Sequence, residues 1–235
     1  MREAEKCTLL SSLITNSGGT AFFYPLLSIK PAGNESTRQM ISNIAYYDWI
    51  VFTSANSVEH FFRCLENSAL VLPLSVKTVA VGPKTADAMT AYGITADTMP
   101  ESYTGKDVAE LLKKKARNKK ILFPKGNLAP QTIKRALKGI AEVDEVIVYH
   151  TIEKENPDLN GADQMDSYIF MSPSAVSAFR KHAHYLHGKP VFCIGPSTAL
   201  RAKEDGFQSI FTADEHTQQG IFETLCGYYK EEHQT

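Results

Sequence analysis

The sequence predicts an α/β fold built as two parallel-sheet domains, and three observations carry that prediction. Short apolar runs rich in β-branched residues alternate with amphipathic stretches of helical length, as they do where helices cover both faces of a parallel sheet. An offset of 113 residues lays VGPKTADAMTAYGI from Val81 over IGPSTALRAKEDGF from Ile194, so that Gly82, Pro83, Thr85, Ala86 and Gly93 meet Gly195, Pro196, Thr198, Ala199 and Gly206. A second pair, DWIVFTSANSVEHFF from Asp48 and DSYIFMSPSAVSAFR from Asp166, matches at a slightly different offset, and downstream Glu101, Thr104, Val108 and Leu112 fall on Asp214, Thr217, Ile221 and Leu225. Matches over most of a domain length mark an internal duplication.

In chain order, residues 1 to 30 carry a helix and the strand TAFFYPLL. WIVFT follows as a strand, SVEHFFRCL as a helix, VKTVAV as a strand and PKTADAMTAYG as a helix. A further helix runs from Thr104 to about Lys115, then come the strand KILFP, a helix from about Pro130 to Leu137, and the strand VDEVIVY. The second copy gives YIFM, SAVSAFRKH, PVFCI, STALRAKEDG, SIFT and a last helix from about Thr217 to Tyr229. Pro83, Pro173 and Pro196 sit where helices open, a place where proline's missing donor costs nothing. Gly93 and Gly206 sit where those helices should stop. Gly82 and Gly195 follow a strand and precede a helix, letting the backbone turn at the sheet's carboxyl edge, where open α/β sheets bind ligands.

The 235 residues suffice for two ordinary domains, each able to bury a core. Residues 34–149 hold a complete alternating unit, so they read as an inserted domain. Residues 1–30 join 157–235 as one discontinuous domain, with hinge linkers at 28–34 and 150–157. Two crossings make a hinge, and a hinge between two sheets makes a cleft. Hydrophobic content of 43% and charged content of 22% are ordinary globular values. No run of about 18 apolar residues is present, and MREAEKCTLL lacks a secretory pattern, so the expectation is a cytoplasmic protein. Cys7, Cys64, Cys193 and Cys226 are scattered without a CxxC, which suits reduced thiols better than disulfides or zinc. A net charge of -1 argues against a general nucleic-acid binder.

Facing loops in such a cleft present Thr53, Ser54 and Asn56 from one domain and Ser172, Ser174 and Thr198 from the other. They lie beside the free N–H groups of helix N-termini, each worth roughly 0.3–1 kcal/mol near an anion. A ligand with several separated anionic groups fits best. The plain alternative is that Ser54, Ser172 and Thr198 merely cap helices, the usual role of such residues. His182, His184 and His187 invite a metal reading, but their spacing does not align them on one helical face, so a solvated helix end is the simpler account. Lys113–Lys115 with Lys119 and Lys120 read as an exposed helix C-terminus, and Tyr228–Thr235 as a polar tail.

The ordered set FTSANSVEHF, VGPKTADAM, MPESYTGKDVAELL, VIVYHT, YIFMSPSAVSAF and IGPSTAL resembles the uroporphyrinogen-III synthase family, from about Arg2 to Leu225. The resemblance implies two flavodoxin-like domains joined by a two-stranded linker, with no metal and no organic cofactor. It implies hydroxymethylbilane as substrate, a linear tetrapyrrole with eight carboxylates. The family closes it to uroporphyrinogen III with loss of water and inversion of the last ring, through an azafulvene and a spiro intermediate. Left alone, that substrate closes to isomer I, so the protein must control shape more than activate a group. The sequence is consistent with this: it has no Ser/His/Asp order and no nucleophile elbow, but many positioned donors.

An octa-anion gains no long-range attraction from a chain of net charge -1, so local amides and hydroxyls must bind it. Alongside the six loop residues above, the matched motifs offer Gly82, Thr85, Tyr103, Thr104 and Gly195 as substrate contacts. Tyr149 matches the family's tyrosine at the end of a strand. A tyrosine phenol holds its proton at neutral pH and can pass it to the departing hydroxyl; the alternative is a ring packed into the hinge. Many relatives carry Arg-Gly where this chain has Lys125-Gly126, so Lys125 is a candidate carboxylate contact without the bidentate fork. Relatives usually open with an apolar strand ending in Thr-Arg, whereas this chain reads as though that strand were absent, leaving Arg2 in the arginine's place. The expected partner is the small-molecule substrate, with no nucleic acid, no membrane and a monomeric chain. A non-catalytic two-domain anion-binding or regulatory protein derived from that fold is the rival reading.

Overall fold

The computed structural model describes residues 8–33, 35–183 and 188–232. Its elements are α1 (Thr8–Asn16), β1 (Leu27–Pro31), α2 (Glu35–Ser42), β2 (Trp49–Phe52), α3 (Ala55–Asn67), β3 (Lys77–Ala80), α4 (Pro83–Thr90), α5 (Gly105–Lys115), β4 (Lys120–Gly126), α6 (Thr132–Ala136), β5 (Glu142–Glu153), β6 (Tyr168–Phe170), α7 (Pro173–His182), β7 (Val191–Cys193), α8 (Pro196–Glu204), β8 (Ile210–Thr212) and α9 (Gln218–Glu232). The chain divides into two compact units: an inserted unit, Ile29–Ile152, and a split unit made of the segment through Ser28 with Glu153 onward.

In the inserted unit the sheet order is β1-β5-β4-β2-β3, with β3, β2, β4 and β5 parallel. All four residues of β2 are buried, as expected for a strand covered on both faces. One face packs Val51, Ile121 and Phe123 against Val108, Leu112 and Ile133 of α5 and α6. The other packs Phe52, Leu122, Val146 and Val148 against α3 and α4. Helix α3 buries Val58, Phe61, Phe62 and Leu65, a single stripe at helical spacing. Burying each such side chain stabilises the unit by about 1.5–3 kcal/mol.

The split unit holds the parallel sheet β6-β7-β8. Phe170, Val176, Phe179, Val191, Ala202 and Phe207 form its main core, and Leu10 and Ile221 join α1 to α9 in a smaller one. The Leu10 N–H donates to Gln218 Oε1 at 3.0 Å, fastening that pair.

The two copies close their helices alike. Pro83, Pro173 and Pro196 each stand in the first turn of a helix. Gly93 (φ 72°) and Gly206 (φ 93°) take left-handed backbone that favours glycine. Beyond them Ile94 N–H donates to Met89 C=O at 3.2 Å and Phe207 N–H to Ala202 C=O at 3.0 Å, the same six-to-one closure twice.

Some elements differ from the sequence expectation. TAFFYPLL is not a strand through residue 26; β1 begins at Leu27, and Phe22 and Phe23 are exposed. Pairing starts only where β5 lies alongside. Lys154 N–H donates to Leu26 C=O and Ala32 N–H to Val148 C=O, both at 2.9 Å, so the numbers rise on one segment as they fall on the other and the two run antiparallel. The unit boundaries fall inside β1 and β5, so β5 extends well past VDEVIVY. Helix α6 is shorter than expected, with Pro130 and Gln131 before it. Arg2, Cys7, Asn34, His184, His187 and the tail after Glu232 lie outside the described residues. Among the described residues no helix is long and apolar enough to cross a membrane, and Cys64, Cys193 and Cys226 are free. Burial pushes the Cys193 thiol up to about 11.

Candidate functional site

The inserted unit presents a cavity of about 390 Å³ at the carboxyl ends of its strands. Thr53 and Ser54 after β2, Val81 after β3, Gly126 at the end of β4, and Tyr149 and Thr151 on β5 line it, with Tyr103 and the apolar wall Leu128–Pro130 and Ile133. From β2 the chain goes out to β3 on one side and returns to β4 on the other, so this is the sheet's topological switch point. Apart from the two tyrosines, no lining side chain is ionisable.

Tyr149 owes its direction to a fault in the ladder. Lys125 pairs with Ile147, but Gly126 pairs with Tyr149, so Val148 is passed over. Successive strand residues normally face opposite ways. The irregularity cancels one alternation and turns Tyr149 to the side of Val148, where both pack against the α3 core. The ring stacks on His60 of α3 with centroids 5.4 Å apart and planes at 29°. Its hydroxyl lies 3.5 Å from Ser54 Oγ, the outer reach of a hydrogen bond. A Cβ on Gly126 would stand 2.5–2.7 Å from the hydroxyl-bearing edge of that ring. Only glycine leaves Tyr149 this place.

Ser54 also caps α3, its Oγ accepting from Ser57 N–H at 3.1 Å. Thr104 caps α5, accepting from Asp107 N–H at 3.3 Å while donating to the Asp107 carboxylate. Gly82 precedes α4 with φ −173°, extended backbone open to any residue, so the turn itself does not demand glycine. Space does: a Cβ there would meet Tyr103 ring and Cβ carbons at 2.9–3.1 Å. Thr53 lines the cavity, whereas Asn56 in the first turn of α3 does not.

Three expected contacts are withdrawn from solvent. Lys125 is buried, its Nζ 2.9 Å from Glu145 Oε1, and it does not line the cavity. An ammonium in so little water needs that carboxylate, so it is held by the protein rather than offered to a ligand. Thr85 and Thr198 are 4% and 1% exposed, turned inward from α4 and α8. Thr198 lies within α8 and so is not its cap either; Gly195 holds that position.

At the carboxyl edge of the split unit, Ser172 caps α7 by accepting from Ala175 N–H at 3.2 Å, and its Oγ lies 3.1 Å from Ser174 Oγ. Gly195 opens α8 with φ −176°, and a Cβ there would meet the His216 ring at 3.1 Å. Thr217 caps α9, accepting from Gly220 N–H at 3.0 Å.

Sequence reasoning missed His60, Gly126 and His216. The repeat could have found the last, because the offset joining Thr104 to Thr217 also joins Tyr103 to His216. Gly126 was visible only as the partner in Lys125-Gly126, and His60 gave no signal beyond its place in FTSANSVEH.

A sequence profile described as uroporphyrinogen-III synthase HemD matches residues 9–223. A provisionally named uroporphyrinogen-III synthase of Methanothermobacter thermautotrophicus is 25% identical over 244 residues, covering 96% of this chain and 95% of that one. The crystal structure of a mutant uroporphyrinogen III synthase from Thermus thermophilus superposes with a TM-score of 0.65 at 15% identity, over 98% of this chain and 96% of that one. The synthetase of Helicobacter pylori gives 0.62 at 19% identity, over 86% and 91%. These two likenesses speak to the fold: mixed α/β with parallel-dominated sheets.

Proposed function

The chain belongs to the uroporphyrinogen-III synthase family, cyclising lyases of tetrapyrrole synthesis, and from that premise we propose that it closes hydroxymethylbilane to uroporphyrinogen III with inversion of ring D. The observation that carries this reading is Tyr149, whose hydroxyl stands beside Ser54 on the wall of the switch-point cavity. Because Ser54 Oγ already accepts from Ser57 N–H, its own hydrogen is free for the tyrosine oxygen. The phenol proton then goes to the substrate's terminal hydroxyl. The C–O bond breaks, water leaves, and the azafulvene forms in its protonated, cationic state as negative charge gathers on the tyrosine oxygen. The Ser54 hydrogen bond tightens at that moment. Carbon–carbon bond formation at the substituted position of ring D gives the spiro centre. Fragmentation and reclosure at the free position then release a proton that restores the phenol.

Binding falls to the carboxyl edges of both units. The N-termini of α3, α4 and α5 in one, and of α7, α8 and α9 in the other, offer N–H groups to the substrate's carboxylates. Thr53, Ser54, Tyr103 and Thr104, with Ser172 and Ser174, add polar side chains at those edges. The strand order β3-β2-β4-β5, second-first-third-fourth in sequence, supports a flavodoxin-like reading of the inserted unit. The reading carries with it the expectation of a cytoplasmic hydro-lyase acting as a monomer, and the resemblance implies no metal and no organic cofactor.

The test supplies hydroxymethylbilane generated in situ, oxidises the products and separates isomers I and III. Predominantly type III is expected. Isomer I alone would leave the chain a non-catalytic anion binder.

A further inference from the structure

We propose that His60 is a positioning residue for Tyr149, acting with Gly126 and the irregular β4–β5 ladder to hold the phenol at one place on the cavity wall. The proposal rests on the reading of Tyr149 as proton donor. A reacting group must be held within about 0.5 Å and 10–20° of its productive geometry, and misplacement by about 1 Å can cost 10²-fold in rate. A tyrosine near the end of a strand, lining an open cavity, has no such restraint from its own backbone.

Three features supply it. The skipped residue Val148 turns the side chain toward α3. Gly126 lets the hydroxyl-bearing edge settle against β4, where any Cβ would stand at 2.5–2.7 Å. His60 then lies against the face of the ring, 5.4 Å away at 29°. It is 7% exposed among Ser57, Val58, Phe61 and Phe62, the buried residues of α3 around it, where a leucine could match its bulk. What a leucine cannot supply is a plane. The flat imidazole sets the orientation of the phenol ring, and with it the position of the hydroxyl 3.5 Å from Ser54 Oγ.

The experiment compares His60→Leu, which keeps bulk without a plane, with His60→Phe, which keeps the plane. With ¹³C-labelled tyrosine, the Tyr149 ring signals should shift and average in His60→Leu and stay near wild type in His60→Phe. Unmoved signals in His60→Leu overturn the proposal. In kinetics His60→Leu should lower kcat about 10-fold with KM within about twofold, and His60→Phe should recover most of it. In a Tyr149→Phe background, His60→Leu should add nothing. If Tyr149→Phe slows turnover but His60→Leu costs the same in both backgrounds, only the positioning role falls. If Tyr149→Phe leaves turnover intact, the proton-donor reading fails and the role of His60 in the reaction falls with it. Melting curves of each variant separate these outcomes from loss of fold.

Discussion

At the carboxyl edge of the inserted unit Ser54 caps α3, Gly82 opens α4 and Thr104 caps α5; at that of the split unit Ser172 caps α7, Gly195 opens α8 and Thr217 caps α9. The cap bonds agree within a few tenths of an ångström. Past this shared frame the units part. The inserted unit continues its sheet through β4 and β5, which bring Gly126 and Tyr149 to the edge, whereas β6 ends the split unit's sheet among the described residues. Over the matched glycines sit different side chains, Tyr103 in one and His216 in the other. The difference teaches that the duplicated frame gives each unit the same set of helix N-termini, while the tyrosine proposed as proton donor belongs to the inserted unit.

The largest expected effects fall on the part that is not duplicated. Tyr149→Phe should lower turnover by up to about 10²-fold, the low end for proton transfer, at unchanged melting temperature. Gly126→Ala should reach a similar loss by driving the ring off its place, with about 1–3 kcal/mol of strain besides. A Gly126→Ala enzyme of normal rate would mean that the tyrosine's place does not matter.

The matched glycines come next. Gly82→Ala should raise KM about 10-fold, since the new Cβ meets the base of Tyr103, a cavity-lining side chain, at 2.9–3.1 Å. Gly195→Ala should raise it about threefold, because His216 at 3.1–3.3 Å needs to yield less. Steady-state kinetics on both variants check the order, and its reversal would move the weight of substrate binding to the split unit.

Smaller again are the caps. Ser54→Ala and Ser172→Ala should each cost about 1 kcal/mol by denaturant unfolding. Only Ser54→Ala should also slow turnover, because only that hydroxyl faces Tyr149. Equal kinetic losses would show that the units share the chemistry as well as the frame.

What the sequence made legible was the frame. Alternating strand and helix patterns, Pro83 and Pro196 at helix starts and Gly93 and Gly206 at helix ends are local chemistry, and local chemistry can be read residue by residue. Tyr149 was singled out too, through its resemblance to a family motif, and it lines the switch-point cavity. Its surroundings were not. The skipped Val148 depends on register between β4 and β5, the need for Gly126 on a side chain in the neighbouring strand, and the burial of Lys125 on Glu145 across the ladder. Thr85 and Thr198 show the same limit. They stand in helical first turns beside the edge, and their direction alone, inward, withdraws them from the site.

Asp48 and Asp166 open the matched strands, and they offer the finest test of the comparison. Asp48 Oδ1 accepts from Lys119 Nζ at 2.8 Å and Oδ2 from Lys120 N–H at 2.9 Å, tying the start of β2 to β4. The Lys119 ammonium first, and the Lys120 amide after it, hold the Asp48 carboxyl below the usual carboxylate range. A carboxyl depressed in the folded state stabilises fully above its unfolded value, about pH 3.9, and loses that contribution as pH falls through the lower folded value. Asp48→Asn should therefore cost stability at neutral pH, and the gap from wild type should close as the medium is acidified below about pH 4. Both partners are more than a third exposed, so the cost should stay below about 1 kcal/mol. Asp166 precedes β6, whose only neighbour among the described residues is β7, so it has no counterpart of β4 to tie to, and Asp166→Asn should cost less stability at neutral pH than Asp48→Asn. Melting curves of both variants from pH 3 to 7 decide it: equal responses would mean that the extra strands add nothing to how the first strand is anchored.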